Sequence, residues 1–146
     1  ASRRPPLTLL RTGHRQAPQG ADIHSGSRYG SRSQLPLKTA LGLLRVVLKH
    51  EGYKMSDPHL WIDGPRPASP PSIPGYHSYG LAYVNNTQGH YSVNIFTGDV
   101  WQTESCTRYI FPALSRMQRR ISERSGKKLL SDEEARSEVG CLAGSP

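Results

Sequence analysis

Two short segments rich in aromatic and β-branched residues, 79–84 and 90–96, constrain the fold of this chain more than any other feature. The residues between them, 85–89, include two Asn and one Gly, which tolerate the left-handed backbone angles of a tight turn. The pattern therefore predicts a β-hairpin.

The second of these segments alternates between apolar and polar side chains: Tyr91, Val93 and Ile95 are separated by Ser92 and Asn94. This alternation predicts one buried face and one solvated face. A Thr-Gly-Asp turn and a Val-Trp pair follow within 97–101, which predicts a third strand.

Helical spacing of apolar residues predicts two helices, over 36–51 and 112–124, and a Ser-x-x-Glu capping box at 131–134 predicts a short third helix. We expect an α+β fold in which the hairpin, or a three-stranded antiparallel sheet, packs against one or two helices. The residues expected to form this contact are Leu41, Leu44, Leu48, Val93 and Ile95.

Composition divides the chain into three parts: a basic leader over 1–35, the small α+β module over 36–125, and an acidic helix with a tail over 126–146. The first 50 residues hold nine basic residues against one acidic residue, which accounts for the net charge of +8. The leader is rich in Arg and Ser and is predicted to be disordered. This composition is typical of a mitochondrial transit peptide, although an ordinary basic tail has it too.

Several function classes are excluded by what the sequence lacks. No apolar run approaches the roughly 20 residues that cross a bilayer, so no membrane span is expected. The two cysteines, Cys106 and Cys141, are too few for a four-cysteine zinc site, and we interpret them as free thiols of a reducing compartment. No motif brings a nucleophile and a base together, so we name no catalytic residue and leave open whether the chain is an enzyme. We also expect no cofactor.

Six basic residues cluster on and after the second predicted helix. On a shared face they would contact phosphates of single-stranded DNA without reading its sequence, although a solvated helix face explains the spacing equally well. Tyr83 and Tyr91 on the hairpin are candidates for stacking on bases, and core packing is the alternative for both. The six basic candidates are Arg116, Arg119, Arg120, Arg124, Lys127 and Lys128.

Taken together, the elements over 38–102 resemble the N-terminal region of the Twinkle family, mitochondrial replicative DNA helicases related to phage primase-helicases. The similar motifs are Thr-Gln-Gly-His-Tyr at 87–91 and Gly-Asp-Val-Trp at 98–101. The phage relatives hold zinc with four cysteines, and this chain has Gly-Pro-Arg-Pro at 64–67 where the first pair is expected. The resemblance therefore implies a zinc-ribbon-like module without zinc or primase activity.

What the resemblance implies about function is a non-catalytic module of a mitochondrial matrix helicase that supports DNA replication through DNA binding and assembly. The helicase motor would lie outside this chain. The alternative is a small structural or interaction protein of a large assembly, such as a mitoribosomal or cytoskeletal component. Single-stranded DNA, protein partners and self-association are the expected interactions.

Overall fold

A computed structural model of the protein describes residues 34–65 and 73–141. It has a five-stranded antiparallel sheet in the order β1-β2-β3-β4-β5, together with three helices, which confirms the α+β prediction and enlarges the expected sheet from three strands to five. The predicted leader falls almost entirely outside the described residues. The elements are α1 (Leu37–His50), β1 (Leu60–Asp63), β2 (Tyr76–Tyr83), β3 (Asn86–Asn94), β4 (Val100–Gln102), β5 (Thr107–Arg108), α2 (Pro112–Ser125) and α3 (Asp132–Glu138).

Helices α1 and α2 cover the inner face of the sheet and form the main core with it. Leu44, Leu48 and Val93 are fully buried there, as predicted, and Leu41 is partly buried against them. Ile95 lies instead in the turn that follows β3. Burying one such aliphatic side chain contributes about 1.5–3 kcal/mol, so this apolar contact is a main source of stability.

The outer face of the sheet is not solvated along its whole length, contrary to the prediction from alternation. Ser92 and Asn94 on β3 are only 2% and 4% exposed. The cause is a second apolar cluster on this face, in which Tyr76 and Trp101 pack with residues of α3 and the segment after it. A distant helix covers these positions, and local alternation carries no information about it.

A disulfide between Cys106 and Cys141 ties the turn between β4 and β5 to the segment after α3. The interpretation of two free thiols is therefore wrong. The two cysteines are 35 residues apart in sequence, and a pair at that distance has no recognisable spacing motif. Helix α3 begins with the predicted capping box, in which Ser131 and Glu134 bond reciprocally.

The hairpin is confirmed, but its turn contains two residues, Val84 and Asn85, rather than the five predicted. Tyr83 and Asn86 pair across the turn. Gly89 belongs to β3, where an added Cβ would lie 3.0 Å from Nε2 of Gln102. This Gly therefore leaves room for the Gln102 side chain and does not form the turn.

Candidate functional site

The six basic residues predicted to bind nucleic acid all lie exposed on α2 and on the segment after it. Within the described ranges, no ion pair joins any of the six to an acidic residue. The structure therefore brings them together as a solvent-facing basic surface. Whether this surface binds a nucleic acid remains a prediction.

The two tyrosines predicted to stack on bases lie in different environments. Tyr91 is 1% exposed and donates a hydrogen bond of 2.7 Å to Oε2 of Glu51, and Tyr109 donates to the same carboxylate. Burial, followed by the bond to Glu51, raises the pKa of Tyr91. Its ring is part of the core, whereas Tyr83 is 41% exposed at the end of β2.

The exposed end of β2 lies against the loop that precedes β1. The backbone N–H of Val84 donates to the carbonyl oxygen of His59 at 3.1 Å, and the His59 ring stands edge-on to the Tyr83 ring at 6.1 Å between centroids. Asp57 accepts the His59 backbone N–H at 2.9 Å, and this bond holds the pKa of the carboxyl below its ordinary value. The loop is therefore held in place by hydrogen bonds while its side chains face solvent.

Trp61 is the largest exposed side chain near this point, with half of its surface accessible. It pairs with Ala82 on β2 and follows Leu60, which packs against the main core. Because successive side chains of a strand point to opposite faces, Trp61 projects from the outer face. We call the group formed by His59, Trp61, Tyr83 and Val84 the hairpin corner.

Val84 has an unusual backbone for its residue type. Its φ is 48° and that of Asn85 is 67°, so both turn residues are left-handed, as in a type I′ hairpin. Asn adopts this region readily, but a β-branched residue there is an outlier that costs roughly 1–2 kcal/mol. Val84 is 51% exposed, so burial of the other half offsets this cost only in part.

At the opposite edge of the sheet, a buried ion pair joins β5 to the turn before β4. Nε of Arg108 lies 3.0 Å from Oδ1 of Asp99, and the indole N–H of Trp101 donates to the other carboxylate oxygen at 3.0 Å. Arg108 also donates to the carbonyl oxygen of Leu130 ahead of α3. Burial raises the pKa of Asp99, and the Arg108 and Trp101 donors oppose that shift. This network is buried, and it links β4 and β5 to the segment before α3.

No group of three His, Cys, Asp or Glu side chains within 34–65 and 73–141 lies close enough together to hold a metal ion. In the same ranges no helix is long and apolar enough to cross a membrane.

Of the four residues of the hairpin corner, the sequence predicts only Tyr83 as a site residue. The strand pattern over 79–84 places Val84 in the strand before the turn. No sequence signal identifies this turn, because the residues favoured in a type I′ turn are Asn, Asp and Gly, and the first turn position is Val84. The predicted turn lies further along the chain because the Gly at 89 is typical of a turn residue.

Comparison with known proteins identifies the family. The family model described as T6SS, Immunity protein Tgi2PP matches residues 37–134, which span every strand and reach into α3. Among solved structures, the chain is similar to a chain of a type VI secretion system effector-immunity complex from Pseudomonas protegens. The identity is 36% and the TM-score 0.66, over 77% of this chain and 94% of the other. No curated protein matches.

These findings overturn the resemblance to Twinkle-type helicases, and with it the mitochondrial matrix location, the role in DNA replication and the transit-peptide interpretation of the leader. The alternative of a mitoribosomal or cytoskeletal component is wrong for the same reason. The misleading motifs are short turn-and-strand patterns, which recur wherever an antiparallel hairpin is followed by a further strand. The chain belongs to the family of type VI secretion system immunity proteins described as Tgi2PP.

Proposed function

We propose that this protein is an immunity protein that binds a cognate type VI secretion effector and so protects the cell that produces it. The observation that carries the proposal is the 36% identity to a chain of an effector-immunity complex, over 94% of that chain. Together with the family match over 37–134, a likeness of that extent supports a binding role beyond a shared fold.

The described chain is suited to binding rather than catalysis. Its strongest buried polar network, around Asp99 and Arg108, is closed within the core. Its exposed features include the basic surface on α2 and the hairpin corner. A rigid sheet that presents exposed aromatic side chains is a common design for a protein interface.

The disulfide bears on where the protein acts. Disulfides form and persist in oxidising compartments and are rare in a bacterial cytoplasm. For a bacterial protein the nearest such compartment is the periplasm, and we therefore propose that the effector is met there. The Cys106–Cys141 bond supports this assignment because it pairs both cysteines of the chain.

The test is a competition on a surface that allows cell contact. A mutant strain lacking this chain is mixed in one culture with its parent, whose type VI apparatus is active. In a separate culture it is mixed with a parent strain whose apparatus is inactive. We expect the mutant to be killed or arrested only by the active parent, and to be rescued when the gene is returned. Equal survival beside both parents would overturn the proposed function.

The effector is identified by repeating the competition with parents that lack one type VI effector at a time. The effector whose removal abolishes killing is the cognate one. A copy of the gene with serine at both cysteine positions then tests the compartment. Weaker rescue by this copy would indicate that the bond forms where the protein acts, because losing the bond has no effect where it does not form.

A further inference from the structure

We infer that the hairpin corner, formed by His59, Trp61, Tyr83 and Val84, is the surface through which this protein docks on its effector. The inference rests on the proposed function and adds to it the location and chemistry of the interface. The occupant to which it commits is the type VI effector, since the related chain of known structure comes from an effector-immunity complex.

The first argument is the backbone of Val84. A left-handed φ of 48° is unfavourable for a β-branched residue, and Asn or Gly would relieve it. The contact that the turn makes with the loop before β1 uses only the Val84 backbone N–H, which an Asn would supply equally. This hydrogen bond therefore does not require valine at the position, and backbone strain of this kind characteristically lies at functional sites.

The second argument is the chemistry of the neighbouring side chains. Trp61, Tyr83 and Val84 are 50%, 41% and 51% exposed, at the end of the sheet where β1, β2 and β3 pair. Tryptophan and tyrosine are the side chains most enriched among residues that dominate binding energy. Tyr83 pairs with the core-facing Leu60 and Trp61 pairs with Ala82, so the two aromatic anchors point to opposite faces of the sheet, on either side of the Val84 tip. This arrangement suits an apolar cleft on the effector that receives the corner between its walls.

The third argument is preorganisation. The loop before β1 is held by the Asp57 side chain and by the bond from Val84 to His59, and the His59 ring packs edge-on against Tyr83. A surface already ordered before binding loses little conformational entropy when a partner docks. The exposed basic side chains on α2 are long and make no ion pair in the described ranges, so they would lose more.

The experiment is a calorimetric titration of the effector identified by competition into the full-length chain and its variants. Trp61→Ala should weaken binding about 30-fold, the ordinary effect of removing an interface anchor. Val84→Asn should weaken binding about tenfold while raising the melting temperature by a few degrees, because it relieves the left-handed backbone. A residue with a merely structural role would not lose affinity while gaining stability.

Two control variants complete the design. Ile110→Asn alters an apolar residue that is 74% exposed but follows β5 at the other edge of the sheet, and it should bind as the wild type does. The double variant Arg119→Ala with Arg120→Ala tests the basic surface and should lose less than threefold. Unchanged affinity in both corner variants would overturn the inference, as would a large loss confined to the arginine variant.

The outcomes separate this inference from the proposed function. If the wild-type chain does not bind the effector, the proposed function fails and the corner fails with it. If the wild type binds and the corner variants bind equally well, only the inference fails. If sedimentation shows that Trp61→Ala converts a dimer to a monomer without changing effector binding, the corner serves self-association and the inference is wrong.

Discussion

Two turns of the sheet contain a residue with an unfavourable left-handed backbone, and they differ in what the molecule gains from it. Cys106, between β4 and β5, has a φ of 51° and is bonded covalently to Cys141. Val84, between β2 and β3, has a φ of 48° and a side chain that is half exposed. The first turn contributes to holding the fold together. The second contributes nothing comparable, which points to an interaction outside the chain.

The contrast extends from these turns to their surroundings. Around Cys106, the disulfide, the Asp99–Arg108 pair and the buried Trp101 connect the last two strands to α3. Around Val84, single hydrogen bonds hold a loop whose larger side chains face solvent. We therefore expect mutations at the first region to lower the free energy of unfolding and mutations at the second to change binding.

The largest expected loss of stability follows Arg108→Ala. Arg108 is 8% exposed and Asp99 is 2% exposed, so the substitution leaves a buried carboxylate without its cation. Removing one partner of a buried ion pair costs about 3–5 kcal/mol. The measurement is urea denaturation at neutral pH.

The matched control for that variant is Arg136→Ala. Arg136 is 40% exposed, pairs with Asp132, which is 56% exposed, and lies 5.6 Å from the centre of the Trp101 ring, so the expected loss is about 1 kcal/mol. Equal losses in the two arginine variants would show that the buried network does not stabilise this region as described.

Next in size is the disulfide. Serine at both Cys106 and Cys141 removes a constraint between residues 35 apart in sequence, which should cost about 2–4 kcal/mol. Thermal unfolding of the oxidised protein, the reduced protein and the double variant measures this loss. Melting temperatures that coincide in all three would contradict the role given to the bond.

Alkaline pH should destabilise both clusters through their buried tyrosines. Burial raises the pKa of Tyr76 and of Tyr79 to about 12, from an ordinary value near 10. Because the folded pKa is the higher one, the stabilisation is complete below pH 10 and is lost as the pH rises towards 12. Each tyrosine adds up to about 1.4 kcal/mol of loss per pH unit in this window.

Tyr79→Phe separates this effect from other causes of alkaline unfolding. The Tyr79 hydroxyl is buried with no hydrogen-bond partner among the described residues, so its removal should leave neutral-pH stability unchanged or slightly higher. Unfolding followed by circular dichroism from pH 8 to pH 12 should then show a shallower decline in the variant. An identical decline would assign the alkaline sensitivity to other groups.

The smallest expected effect on stability belongs to the hairpin corner. Trp61→Ala removes a side chain that is half exposed, so the free energy of unfolding should change by less than about 1 kcal/mol. Urea denaturation checks this value. A loss as large as that of the disulfide variant would show that Trp61 is a structural residue, and the contrast between the two regions would disappear.

The local elements of this fold were predictable because their signals are local. The spacing in α1, the Pro at the start of α2 and the Ser131–Glu134 capping box each act within a few residues. The burial of Ser92 and Asn94 and the Cys106–Cys141 bond depend on where a distant helix packs. No pattern within the strands encodes that packing, so these features required the structure.

The candidate site was harder to predict for a different reason. The basic residues on α2 attracted attention because charge is visible in a sequence, whereas the hairpin corner depends on exposure and on the φ angle of one valine. Sequence periodicity predicts which residues are buried, and it treats an apolar residue in a strand as core. The exceptions, such as Trp61 and Val84, become visible only when exposure is measured.

Hydrogen exchange of the chain with and without its effector tests the central claim most directly, because it locates the interface without altering any residue. The account predicts slower exchange of the backbone amides at 59–61 and 83–86 in the complex, and unchanged exchange in α3. Protection confined to α2 or α3, with the hairpin corner exchanging as it does in the free protein, would contradict it.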